Sequence, residues 1–140
     1  CLMLSFSIAR PNPFSFGGRD GAGFDPARPG LIRYTRHPLL LALALWAGAH
    51  LLPNGDLAHV VLFGIFAGFA LLGHWIVDRR RRRLMGADWA RLDAARRAAP
   101  LWPPRPASRM TAMARLALGL VAYALLIAAH PLVIGVSPLP

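Results

Sequence analysis

Three apolar runs, each stopped by a turn or by arginines, set the plan of this chain. Pro38 suits the first turn of a helix, since its ring fixes φ near the helical value and it has no N–H to lose. The apolar stretch Leu39 to Leu52 follows, and Pro53-Asn54-Gly55-Asp56 then reads as a tight turn. Leu57 to Val77 gives 21 residues interrupted only by His59 and His74, and Leu116 to Val136 gives a further 21. At about 1.5 Å per residue such runs cross a hydrocarbon core of about 30 Å. The 14 residues of Leu39 to Leu52 reach only about 21 Å. Counted from His37, with Arg33 and Arg36 snorkelling, they cross a locally thinned bilayer. Cys1 to Ala9 resembles the last turns of another span, ended by Arg10-Pro11-Asn12-Pro13.

The pattern therefore predicts an all-α protein: a polytopic transmembrane helical bundle with three full spans (37–52, 57–77 and 116–136) plus the end of a fourth (1–9). All of 1–140 forms one domain, truncated at its N-terminus and beginning inside a helix. Neither a signal peptide nor a lipidated terminus is expected at Cys1, which lacks a charged n-region and a small polar linker. Residues 10–36 form a loop whose Phe14, Phe16 and Phe24 are expected to anchor at headgroups. Residues 79–106 form a basic segment: Arg79 to Arg83, then an amphipathic helix over Leu84 to Ala99 with Leu84, Trp89 and Leu92 as apolar contacts. Pro100 to Pro106, with Trp102, closes it. Gly64 and Gly68 offer a small-residue face for close helix contact.

Charge refines this picture. The chain has 16 Arg and no Lys, six Asp and no Glu, a formal net charge of +10 and 56% hydrophobic residues. Charged residues make up 16%, against about a quarter in soluble domains. The arginines gather where apolar runs end, which fits helix orientation and argues against nucleic acid as a partner. With Arg79 to Arg83 cytoplasmic, Arg10, Arg28, Arg33 and Arg36 fall on the same side, as in a multi-pass protein of a bacterial inner membrane.

Candidate chemistry is confined to histidine. A single Cys excludes an intrachain disulfide and Cys-based zinc or iron–sulfur sites within one chain. Asp56 and Asp78 are the acids at helix ends near the spans, and they form no carboxylate pair by spacing. No Ser/His/Asp arrangement or phosphate-cradling loop is present. His37 and His50 lie about 20 Å apart along one helix and roughly 140° apart around it, so they have different jobs. His37 and His74 fall near the arginine-rich end; depth lets His50, His59 and His130 meet near the other. His59 reads as an interfacial side chain, His74 as the partner of an acidic group, and Arg36 with His37 as an anion contact at a helix start. His50, an ionisable group at lipid depth, is either a ligand or a polar group satisfied by a neighbour.

The segments GLIRYTRHP and LWAGAHLLPNGD, the span ending in Asp78-Arg79-Arg80, and the closing HPLVIGVSP resemble the NnrU family of integral membrane proteins over essentially the whole chain. The resemblance implies a role in denitrification, through nitrite and nitric oxide reductase expression, and haem b as cofactor. The family includes the 15-cis-zeta-carotene isomerase, which binds haem b and, in the segment matching Trp46 to His50, carries a Cys and an axial His three residues later. Here the His is His50 and the Cys position is Ala47, which excludes a Cys–His ligand exchange. The resemblance thus implies His50 as an iron ligand in an apolar shell that includes Trp46, with His130 or solvent completing the iron. His37 and Arg36 would hold a propionate if the macrocycle reached them. The alternatives are a carotenoid cis-trans isomerase-like enzyme and a cofactor-free membrane subunit. Expected partners are the lipid bilayer and other membrane subunits or further N-terminal helices. The RHP motif is also similar to one in isoprenylcysteine-type methyltransferases, but the Tyr and Glu those enzymes use have no counterpart here, where Leu39 and Leu40 follow and Glu is absent.

Overall fold

The computed structural model describes residues 1–16, 22–101 and 108–139, and among these the regular elements are helices. They are α1 (Leu2–Ser7), a 3-10 turn (Gly30–Arg33), α2 (Pro38–Leu51), α3 (Leu57–Met85), α4 (Ala87–Ala98) and α5 (Arg109–Ile134). Two of them, α3 and α5, are long and apolar enough to cross a membrane. The expected third full span and the end of a fourth do not reach that length: α2 has 14 residues, about 21 Å, and α1 has six.

Local chemistry explains the boundaries. Pro38 opens α2 as expected, and the amide of Asn54 caps its far end by donating to the His50 carbonyl at 2.8 Å. Asp56 caps α3 by accepting from the backbone N–H of His59 at 3.2 Å. The helix does not stop at Val77. Arginine is a good helix former, so α3 continues through Arg79 to Arg83 until Gly86, whose φ of +55° favours glycine. The amphipathic helix predicted over 84–99 is accordingly α4, beginning at Ala87. Ser108 caps α5 through the N–H of Thr111, seven residues ahead of the predicted start at 116, and Gly135 ends it in the left-handed conformation.

Helices α2 and α3 form an antiparallel hairpin in which Leu40 sits on Gly73, where an added Cβ would lie 3.1 Å from the leucine. The small-residue face expected at Gly64 and Gly68 meets nothing within 4 Å; close approach occurs instead at Gly73 and at Gly119, against Leu2 and Ser5 of α1. A small core beneath the arginine-rich end is built from Phe14, Ile32 and Trp89, with Phe24, Met85 and Leu92 packed against it. Phe14 is therefore an interior residue and not a headgroup anchor, and Phe24 is half-buried against it: Trp89 on α4 is brought under the loop, and Phe14 meets Phe24 and Trp89 edge-on at 5.7 and 6.1 Å. Phe16 is exposed. Leu84, expected to pack, is 68% exposed, and Met85 takes its place. Trp102 and the rest of 102–107, which were expected to close the basic segment, lie outside the described residues, as does 17–21 of the predicted loop.

Candidate functional site

Two cavities flank α2, one polar near its start and one apolar near its end. The polar one has a volume of about 660 Å³ and lies where α3 passes from apolar residues to arginines. Arg36, just ahead of α2, grips Asp78 of α3 with both arms of its guanidinium: Nε donates to Oδ1 at 2.9 Å and Nη2 to Oδ2. His37, 1% exposed, donates from Nε2 to Asp78 Oδ1 at 2.8 Å and shares a hydrogen bond at Nδ1 with the Ser15 hydroxyl at 2.9 Å. A carboxylate can only accept, so this pattern places a proton on Nε2. Asn12 braces the same corner by donating to the Arg36 carbonyl at 2.9 Å.

Asp93 on α4 extends the network. It accepts from Arg96 Nε at 2.9 Å and Arg97 Nε at 2.8 Å, and Arg36 Nη1 reaches it at 3.4 Å. Arg96 Nη1 also donates to the carbonyls of Ile32 and Arg33, at 3.1 and 2.7 Å. Burial pushes the Asp93 carboxyl up, but the Arg96 hydrogen bond and the charges of Arg96, Arg36 and Arg97 outweigh it and hold the group below its ordinary value. The Asp78 hydrogen bond, against the opposing effect of burial, raises Arg36 above its ordinary value. Arg36 and His37, expected to face an outside anion, thus have partners inside the chain. His74, expected to pair with an acid, bonds the Ala70 carbonyl from Nδ1 at 2.9 Å, because Asp78 is taken by Arg36 and His37. Its ring stands edge-on to His37 at 5.2 Å.

The apolar cavity, about 570 Å³, lies between α2 and α5 with Cys1 and Met3 beneath it, and both His50 and His130 line it. The His50 Nδ1 donates to the Trp46 carbonyl at 2.8 Å, the indole ring stands 4.8 Å from the imidazole, and Phe63 flanks it at 4.9 Å. His130 Nδ1 donates to the Val136 carbonyl at 2.7 Å. A carbonyl oxygen can only accept, so both rings carry their proton on Nδ1 and present the Nε2 lone pair, which has no hydrogen bond among the described residues. This is the arrangement that fixes the tautomer of a metal-binding histidine. His59 does not line the cavity; it pairs with Asp56 and stacks on Phe63 at 6.0 Å. Among the described residues no group of three or more His, Cys, Asp or Glu is arranged to hold a metal ion. The arrangement provides two imidazole donors at most, in an aliphatic and aromatic shell.

The two cavities divide the predicted site residues. His50, Trp46 and His130 share the apolar one, while His37 and Arg36 belong to the polar one. Compared with known families, residues 1–138 match the family model described as NnrU protein. The chain belongs to the NnrU family. No curated protein and no solved structure matches it significantly. In this NnrU protein the RHP of GLIRYTRHP locks onto Asp78, whereas LWAGAH and HPLVIGVSP place their histidines on the apolar cavity. Sequence reasoning did not find Ser15, Asn12 or Asp93. Of these only Asp93 left a signal, in its spacing from Arg96 and Arg97 along one helix face.

Proposed function

We propose that this NnrU protein is an integral membrane protein of a bacterial inner membrane that binds haem b in the cavity between α2 and α5 and supports denitrification. The observation that carries the haem reading is that His50 and His130 line one apolar cavity with their Nε2 lone pairs unused. The cavity volume lies within the usual range for cofactor pockets of roughly 300 to 1,000 Å³. His50 would hold the iron, its ring fixed by the Trp46 carbonyl, with Trp46, Leu45 and Leu126 lining the apolar cavity around it. His130 would be the second donor. Bound haem supplies reversible one-electron chemistry at iron. His37 and Arg36 stay with Asp78 and hold no part of the macrocycle. The denitrification role draws on family membership. Exposed apolar side chains over α3 and α5 support bilayer contact: only 6% of the most apolar window of α5 is buried. In this reading α2 crosses as a third, short span of a thinned bilayer, and the arginines face the cytoplasm.

The test is absorbance of the full-length protein purified from membranes, oxidised and reduced. We expect a Soret band that His50→Ala abolishes, that His130→Ala shifts, and that His59→Ala leaves alone. A band unchanged by His50→Ala overturns the assignment. The aliphatic length of the same cavity, with Leu45, Leu126, Ile127 and Val133, favours one second reading, an isomerase acting on a polyene. Turnover of a cis-carotenoid by the purified protein would establish it.

A further inference from the structure

The polar cavity has a second wall that the Arg36–Asp78–His37 network leaves unused. Leu71, Trp75, Arg79 and Arg83 lie four residues apart along α3 and so form one ridge, apolar for two positions and cationic for the next two. Leu71 and Trp75 are 66% and 61% exposed, although both sit where α3 is apolar. The Arg79 guanidinium stands over the Trp75 ring at 5.3 Å. Neither Arg79 nor Arg83 has an acid partner among the described residues, because Asp78 is occupied by Arg36 and His37. Across the cavity Thr35 Oγ1 accepts the His37 N–H at 3.2 Å and keeps its own O–H to donate. The groove is therefore a cationic pocket with a hydroxyl donor, continuous with an exposed aliphatic and aromatic strip.

We propose that this groove binds an anionic phospholipid, with the headgroup phosphate on Arg79 and Arg83 and the acyl chain along Leu71 and Trp75. The inference rests on the membrane placement of α3 proposed above. The ridge changes from apolar to cationic within one helical repeat, as a phospholipid changes from chain to phosphate, and a free phosphate ion would leave Leu71 and Trp75 uncovered. The neighbouring arginines are engaged within the chain: Arg81 donates to the Ser15 carbonyl at 2.8 Å, and Arg82, which also lines the cavity, lies over Trp89 at 4.2 Å and beside Asp78 at 3.9 Å.

The experiment uses the full-length protein in nanodiscs of phosphatidylcholine with increasing phosphatidylglycerol, read by thermal midpoint and by native mass spectrometry of retained lipid. The wild type should retain phosphatidylglycerol selectively and be stabilised by it. The variant Arg79→Gln/Arg83→Gln should lose about tenfold in that preference, while the charge-matched Arg91→Gln/Arg109→Gln keeps it. Equal loss in both variants, no loss in the first, or the same stabilisation by inorganic phosphate alone would overturn the site. Alkaline carbonate extraction separates the two readings: release of the protein from membranes defeats the placement of α3, whereas a retained protein without headgroup preference defeats the site alone.

Discussion

Arg36 and Asp78 are 42 residues apart in sequence and joined by two parallel hydrogen bonds that close the open end of the α2–α3 hairpin. Without this clasp the hairpin is held by the His37–Asp78 hydrogen bond, the turn at Asn54-Gly55 and apolar packing. Because His37 uses the same carboxylate, Asp78 is the common anchor for both polar residues of the RHP motif.

Removing that anchor leaves the buried His37 imidazole without its acceptor and Arg36 with only the longer contact to Asp93. Asp78→Ala should cost about 3 kcal/mol, the low end for breaking a buried ion pair, because the Asp78 and Arg36 side chains keep 14% and 21% exposure. The double variant Arg36→Met/Asp78→Leu should lie closer to wild type than the sum of its single changes. Thermal unfolding in detergent reads both, and strictly additive costs would deny the pairing.

Phe14 and Phe16 separate an interior role from an interfacial one. Phe14→Ala should cost roughly 3 to 5 kcal/mol, since the ring is fully buried against Trp89. Phe16→Ala should stay within about 0.5 kcal/mol, because that ring is 47% exposed. Similar costs for the two would mean that both rings anchor at headgroups.

The network around Asp93 sets a pH dependence of definite sign. The folded protein holds this carboxyl below its ordinary value of 3.8, so the unfolded chain binds the proton more readily. The stabilisation is fully present above pH 3.8 and is lost as pH falls through the folded value. Asp93→Asn should therefore lower the thermal midpoint at pH 7, and its deficit against wild type should shrink as pH drops below about 4. A deficit that grew with acid would contradict the assignment.

Gly119 and Gly64 make a contrasting pair. A Cβ at Gly119 would meet Ser5 Oγ at 2.7 Å, Leu2 Cδ2 at 2.8 Å and the Leu2 backbone at 3.2 Å. Gly119→Val should push α1 away from α5 at a cost of about 1 to 3 kcal/mol. Gly64→Ala fills open space and should leave stability unchanged or raise it by up to about 1 kcal/mol. Loss of stability in Gly64→Ala would reveal a helix from another chain on that face.

Helix starts were legible in this sequence because Pro38 and Asp56 carry their conformational consequences locally, whereas the stops at Gly86 and Gly135 fell inside stretches that the apolar pattern read as continuous helix. The overrun of α3 through five arginines was not, since a charge run says where an apolar stretch ends but arginine remains helical. What joins distant segments left no trace in any periodicity: Asp78 gives no sign in the sequence that its partners lie at 36 and 37. Phe14 reads as an anchor because its Gly- and Pro-rich neighbours signal a surface loop, and only the arrival of Trp89 from α4 makes it interior. At the apolar cavity, helix depth was enough to bring His50 and His130 to one level. Depth said nothing of direction, and for that reason His59, at a similar height, turns instead to Asp56.

Helix α5 packs on α1, and α1 packs on α2, so this six-residue rod acts as the spacer between the helices bearing the two histidines. The gauge of the chamber is consequently fixed at the seam of Leu2, Ser5 and Gly119. A thicker or slimmer occupant could be admitted by retuning that seam while His50 and His130 stay as they are.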